Sequence, residues 1–243
     1  MFKKVFVKAA VAGFAIIVAQ TASGATYDFR AAANSGGGIG ESAFSTFSTS
    51  ASGGAFAGFA GPNLNITASA LGDDDSAQYV YFDNGNAGMG VCKDPTVGAA
   101  IGTYTNAGKN LCDPGSDDGI TSILETLIFT ATETMTVDAI WLNTNHDSAG
   151  VRDASYTING VTYDGSDMID DLLPGWLRGD DVRIELGFTL HAGDWFSLTP
   201  THGGNPDSYI SALAVTAVPV PAAGLLLLGA LGSLGVARRR RRT

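Results

Sequence analysis

From Thr26 onward, β-rich stretches with alternating apolar and polar residues recur between turn residues, and little of the sequence shows the 3.6-residue spacing of an amphipathic helix. Tyr156-Thr157-Ile158 and Val161-Thr162-Tyr163 show the pattern most plainly, as a sheet with one covered face requires. β-rich stretches bounded by turn residues predict strands over 26–31, 43–50, 64–70, 78–83, 124–132, 135–144, 154–158, 161–164, 182–190, 195–199 and 209–216. Asn159-Gly160 is a two-residue hairpin signal, Asp164-Gly165 closes the following strand, and His191-Ala192-Gly193-Asp194 separates 182–190 from 195–199. Short strands without βαβ spacing predict an all-β fold, an antiparallel β-sandwich with a jelly roll among its topologies. A helix-like piece near 168–177 is broken by Pro174-Gly175 and reads as a loop or single turn. Residues 34–61, rich in Gly, Ser and Ala, read as a weakly structured hairpin rather than a linker, because Phe44, Phe47, Phe56 and Phe59 suit strand edges and packing.

The two ends break the alternation. Lys3, Lys4 and Lys8 precede an apolar run through Val18, and Ser23-Gly24-Ala25 follows, the layout of a secretory signal peptide (1–25) cut after Ala25. At the other end, a stretch rich in Leu, Gly and Ala runs from Ala222 to Ala237 and stops at Arg238, Arg239, Arg240, Arg241 and Arg242. As a helix it would span roughly 24 Å at about 1.5 Å per residue, a little under the roughly 30 Å hydrocarbon core of a bilayer. Snorkelling arginines make up part of the difference. The arginine block, as a cytoplasmic basic anchor, places the residues before Pro219 on the outer side of the membrane. The reading is an N-terminal signal helix, an exported domain over 26–217, and a C-terminal transmembrane helix within 218–243.

Val218-Pro219-Val220-Pro221-Ala222 approaches that helix, and its two prolines favour an extended segment that a processing enzyme can grip. Proline motif, short apolar helix and terminal arginine cluster together resemble the PEP-CTERM class of sorting signal, and more narrowly its VPLPA-CTERM variant. Val218, Pro219, Pro221 and Ala222 match the motif, and Val220 stands where the variant has leucine. The resemblance implies an exosortase-type membrane enzyme as partner, in a Gram-negative bacterium. It also implies cleavage near the motif and onward sorting to the envelope, cell surface or extracellular matrix. An uncleaved tail would be a plain C-terminal anchor.

With both ends set aside, the body keeps six basic residues against all 24 acidic ones, a formal charge of −18. Such a surface excludes nucleic acid and anionic lipid as partners, since phosphate binding depends on Lys and Arg. Exopolysaccharide remains compatible with it. Cys92 and Cys112, both in the exported part, predict a disulfide closing a loop rich in Gly, Asn and Asp. A metal site there lacks a CxxC and a histidine near in sequence.

Motifs for chemistry are absent. His146, His191 and His202 are scattered in turn-like contexts, with no G-x-S-x-G and no H-E-x-x-H, so no catalytic residue is assigned. Asp73-Asp74-Asp75, Asp117-Asp118, Asp170-Asp171 and Asp180-Asp181 read as solvated loops, with calcium as the one cofactor they suit; the EF-hand spacing is missing. Trp141, Trp176 and Trp195 with Tyr79, Tyr81 and Tyr163 suit a carbohydrate platform. Trp141, inside Ala139-Ile140-Trp141-Leu142, fits a core better, and Trp176 is the stronger candidate for exposure. The expectation is a non-enzymatic, exported matrix protein, structural or associated with exopolysaccharide; the alternative is a secreted carbohydrate-binding or carbohydrate-active protein with acidic loops.

Overall fold

The computed structural model describes residues 24–34, 39–49, 66–71, 77–95, 110–113, 119–120, 125–144, 150–170, 181–201 and 207–218. Residues 1–23 of the expected signal peptide, Pro219 to Ala222, the arginine cluster, Trp176, His146, His202, Asp73 to Asp75 and Asp117-Asp118 lie outside these residues. Among the described residues, no helix is long and apolar enough to cross a membrane.

The elements in order are β1 (Gly24–Asp28), α1 (Phe29–Asn34), β2 (Ser42–Phe44), β3 (Phe47–Ser48), β4 (Ile66–Leu71), β5 (Ala77–Asp83), β6 (Gly88–Cys92), β7 (Thr126–Ala131), β8 (Met135–Asn143), β9 (Tyr156–Ile158), β10 (Val161–Tyr163), β11 (Ile169–Asp170), β12 (Val182–Leu190), β13 (Trp195–Pro200) and β14 (Tyr209–Ala217). The fold is all-β and antiparallel, as the alternation predicts. Its strands form one curled sheet in the order β10-β9-β13-β7-β4-β5-β6-β14-β8-β12-β11, with β1 on β14, β2 on β5 and β3 on β4. The curl turns at β4 and β5, joined through Ala70 opposite Gln78 and Leu71 opposite Ala77. There Phe47 packs edge-on against Phe82, ring centroids 4.8 Å apart, with Phe44 and Phe29 alongside.

Both arms feed one core. Phe129, Phe196, Leu127 and Leu198 come from the β4 arm, and Val137, Ile140, Ile184 and Leu213 from the β5 arm. Burying each such side chain contributes about 2 kcal/mol. Asn159 and Gly160 take φ of 51° and 78°, the left-handed pair of a two-residue hairpin turn, and set Ile158 opposite Val161.

Four local expectations are corrected. Residues 29–31 belong to α1 rather than to the first strand, because Asp28 Oδ1 accepts a 2.7 Å bond from the Ala31 amide and caps a helix there. β6 was not expected, since Gly-Met-Gly-Val-Cys has low strand propensity. Gly88 serves a local need in it: at φ 124°, an added Cβ would lie 2.5 Å from the Ile210 carbonyl oxygen. Ile169–Asp170, within the piece read as a loop or turn, forms β11 on the edge of β12. β2 and β3 do not form a hairpin with each other; they pair with β5 and β4 across the curl.

Candidate functional site

A second, smaller apolar cluster lies on the opposite face of β5 from the main core. It consists of Ala43, Tyr81, Cys92, Leu111 and Cys112, with Tyr79 packed against it. The alternation of β5 sends Val80 and Phe82 to the main core and Tyr81 to this side. Tyr81 stands opposite Ala43 on β2 and Gly90 on β6, small neighbours that leave room for its ring. The predicted disulfide closes the cluster: Cys92 and Cys112 are bonded, their Cα atoms 5.8 Å apart.

Polar groups gather beneath it. Gly40 passes so close to α1 that an added Cβ would sit 2.3 Å from the Ala33 carbonyl oxygen, and Glu41 follows in the left-handed region at φ 59°. The Glu41 amide donates to the Phe82 carbonyl at 2.6 Å, which pins its side chain inward. Tyr81 Oη donates to Glu41 Oε2 at 2.5 Å and accepts from the Leu111 amide at 2.8 Å. Asn110 Oδ1 lies 3.1 Å from the same hydroxyl and accepts from the Cys112 amide at 2.8 Å. Asp83, two residues along β5 from Tyr81, is buried like Glu41, each only 2% exposed.

Burial, opposed by the bond from Tyr81 and reinforced by the nearby Asp83 charge, pushes the Glu41 carboxyl up to about 7. Burial, then the bond to Glu41, drives the Tyr81 hydroxyl far above its ordinary range. The carboxyl therefore keeps its proton close to neutrality. A general acid needs such a value, but it also needs to touch its substrate. Glu41 and Asp83 are both buried, so this geometry serves packing and titration rather than contact with a glycan chain.

The proton on Glu41 links stability to pH. Between about 4.5, where an ordinary glutamate ionises, and about 7, the unfolded chain releases a proton that the folded chain keeps, so stability falls as pH rises through this window. Glu41→Gln removes the titration and keeps an acceptor for Tyr81. Relative to that variant, the wild type is expected to lose on the order of 3 kcal/mol from pH 4.5 to pH 7, read from urea unfolding. Parallel stability profiles for the two proteins would refute the assignment.

A separate buried network ties α1 to the sheet. The Arg30 guanidinium pairs with the Asp181 carboxylate, side chains 8% and 1% exposed. Ser211 Oγ donates to Asp181 Oδ1 at 2.7 Å, and Asn143 Nδ2 donates to Ser211 Oγ and to the Ala87 carbonyl, both at 2.6 Å. Ser211 is free to turn inward because it is the extra residue in an irregular register, Ile210 facing Leu142 and Ala212 facing Trp141. Asp181 is therefore no solvated loop acid, which corrects that part of the acidic-loop expectation.

The other expected residues separate. Trp141 is buried, with Arg183 over its ring at 6.0 Å. Tyr81 and Tyr79 belong to the disulfide cluster, and Tyr163 packs on the main core. Trp195 stands out at 61% exposure. His191 is exposed in its turn, where Asp194 Oδ2 accepts from the His191 amide at 2.8 Å. Asp170 is exposed and accepts from Arg152 at 2.7 Å. Among the described residues, no group of three or more His, Cys, Asp or Glu could hold a metal ion. Val218, the first residue of the expected sorting motif, follows β14, and its amide donates to the Thr134 carbonyl at 3.2 Å. Sequence reasoning missed Glu41, Asp83, Arg30, Asn143 and Ser211. Arg30 alone carried a signal, as one of only six basic residues in the body.

Comparison of the chain with protein-family models, with curated proteins and with solved structures finds no match.

Proposed function

We propose that this chain is an exported β-sandwich protein of a Gram-negative envelope. In this reading it is delivered by its N-terminal signal, held at the inner membrane by the helix of residues 222–237, and sorted by an exosortase-type enzyme acting near Val218 to Ala222. Its role in the surface matrix is structural or exopolysaccharide-associated, without catalysis. The observation that carries the reading is the Cys92–Cys112 disulfide, a bond that persists in oxidising compartments such as the periplasm and cell surface.

The same processing leaves most of β1 paired. β1 begins at Gly24 and β14 ends at Ala217, with Gly24 opposite Thr216. Cleavage after Ala25 removes the pairings to Thr216 and Val215 and leaves Thr26, Tyr27 and Asp28 on β14. Tyr27, buried at 3%, keeps the shortened strand anchored.

Intact-mass measurement on protein recovered from its own cells tests this. The wild type is expected to begin at Thr26 and to lack the arginine cluster, whereas Pro219→Ala/Pro221→Ala retains the tail and stays in the membrane fraction. The same intact tail on both proteins would leave a plain anchor and refute sorting by cleavage.

A further inference from the structure

The outward face of the β4 arm differs chemically from the rest of this acidic body. Along β13 and β7 the burial alternates strictly, sending Phe196, Leu198, Leu127 and Phe129 to the core. The intervening residues face away from it. Register then lays out a ladder of hydroxyl groups: Thr162 opposite Thr157, Thr157 opposite Thr199, and Thr199 beside Thr126. Thr126 and Thr199 Oγ1 atoms lie 2.8 Å apart, and those of Thr157 and Thr162 lie 3.3 Å apart. One step along the strands, Ser197 faces Ile128; a further step brings Trp195 opposite Thr130. Neighbouring strands are about 4.8 Å apart, so the hydroxyls recur at a regular spacing.

A threonine-rich outer face is ordinary for strand propensity. Its lack of charge is not, in a body with 24 acidic residues. The outer positions of the other arm carry Arg183 and Glu185 on β12 and Asp138 on β8, partly or fully exposed. On the β4 arm, the outward positions of β7, β9 and β13 hold only Thr, Ser, Ile and Trp. The large indole of Trp195, 61% exposed, stands at one end of the array.

We propose that this face is a binding platform for an uncharged polysaccharide, with the Trp195 indole stacked on a sugar ring and the threonine and serine hydroxyls bonded to sugar hydroxyls. Charge selects the ligand. An anionic polymer is repelled by the −18 of the body, and a cationic one finds no carboxylate among the outward residues of β7, β9 and β13. A neutral hydroxylated chain suits both partners on the face: threonine offers a methyl and a hydroxyl together, and an amphipathic ring covers apolar sugar edges. The site gives the matrix role proposed above its ligand class and rests on that role only for access to extracellular polymer.

Non-denaturing electrophoresis of the full chain in non-ionic detergent, through gels cast with neutral hydroxyethylcellulose or with anionic polygalacturonate, tests the platform independently of sorting. The wild type is expected to be retarded by the neutral glucan only. Trp195→Ala and Ser197→Asp should each weaken retardation at least tenfold at unchanged melting temperature. Trp195→Tyr, which keeps a stacking ring, should stay within threefold of the wild type, as should Ile169→Ala on β11. No retardation in the neutral gel, equal retardation in polygalacturonate, or wild-type retention by either Trp195→Ala or Ser197→Asp would overturn the proposal.

Discussion

Replacing Arg30 with alanine is expected to lower the free energy of unfolding by about 3–5 kcal/mol, the usual cost of stranding one member of a buried ion pair. Asp181 is 1% exposed at its side chain, so the carboxylate left behind cannot recruit water in compensation. It must either stay charged among Ser211, Asn143 and the sheet or take up a proton. The loss also loosens α1, which reaches the sheet partly through this pair, and the aliphatic stem of Arg30 over Gly88. Urea unfolding at pH 7 measures it. A second variant, Arg30→Met/Asp181→Leu, removes both desolvation costs together and should recover most of the loss. A loss under 1 kcal/mol in Arg30→Ala would show that the pair contributes little to stability.

The strands were legible because their signal is local. Val182–Leu190 has the predicted limits, and most others differ by one or two residues, since period-two burial is written into neighbouring side chains. Asn159-Gly160 was legible for the same reason: two left-handed positions in a row select that dipeptide. β6 was hidden because its Gly88 answers to Ile210, more than a hundred residues away in sequence. The curl through β4 and β5 and the separation of β2 from β3 are likewise questions of long-range pairing.

The same division runs through the sites. Two cysteines have only each other to pair with, so Cys92–Cys112 could be read directly once export was expected. Glu41 and Asp83 could not be distinguished from the other acids, because their burial depends on which residues stand opposite Tyr81. The exposure of Trp195 is legible from local alternation. In Trp195-Phe196-Ser197-Leu198-Thr199, alternation already puts the indole on the side of serine and threonine, away from Phe196 and Leu198. Composition grouped it with Trp141, and only the register separates a core tryptophan from an exposed one.

Removing the disulfide is the second large effect. Cys92→Ala/Cys112→Ala is expected to cost about 3 kcal/mol through the freed entropy of a loop with a sequence separation of 20. In a domain of this size that lowers the melting temperature by roughly 6–12 °C. The local consequence is specific. Without the bond, Leu111 and Asn110 are held less firmly over Tyr81, whose hydroxyl both accepts from Leu111 and donates to Glu41. Water then reaches the Glu41 carboxyl, its proton is released at lower pH, and the stability loss between about pH 4.5 and 7 shrinks. The disulfide and Glu41 should therefore be coupled, with Glu41→Gln changing stability at pH 7 less in the cysteine-free protein than in the wild type. Thermal melts of the four proteins at pH 4.5 and pH 7 decide it. Additive effects at both pH values would mean that the bond closes its loop without sealing the acid beneath.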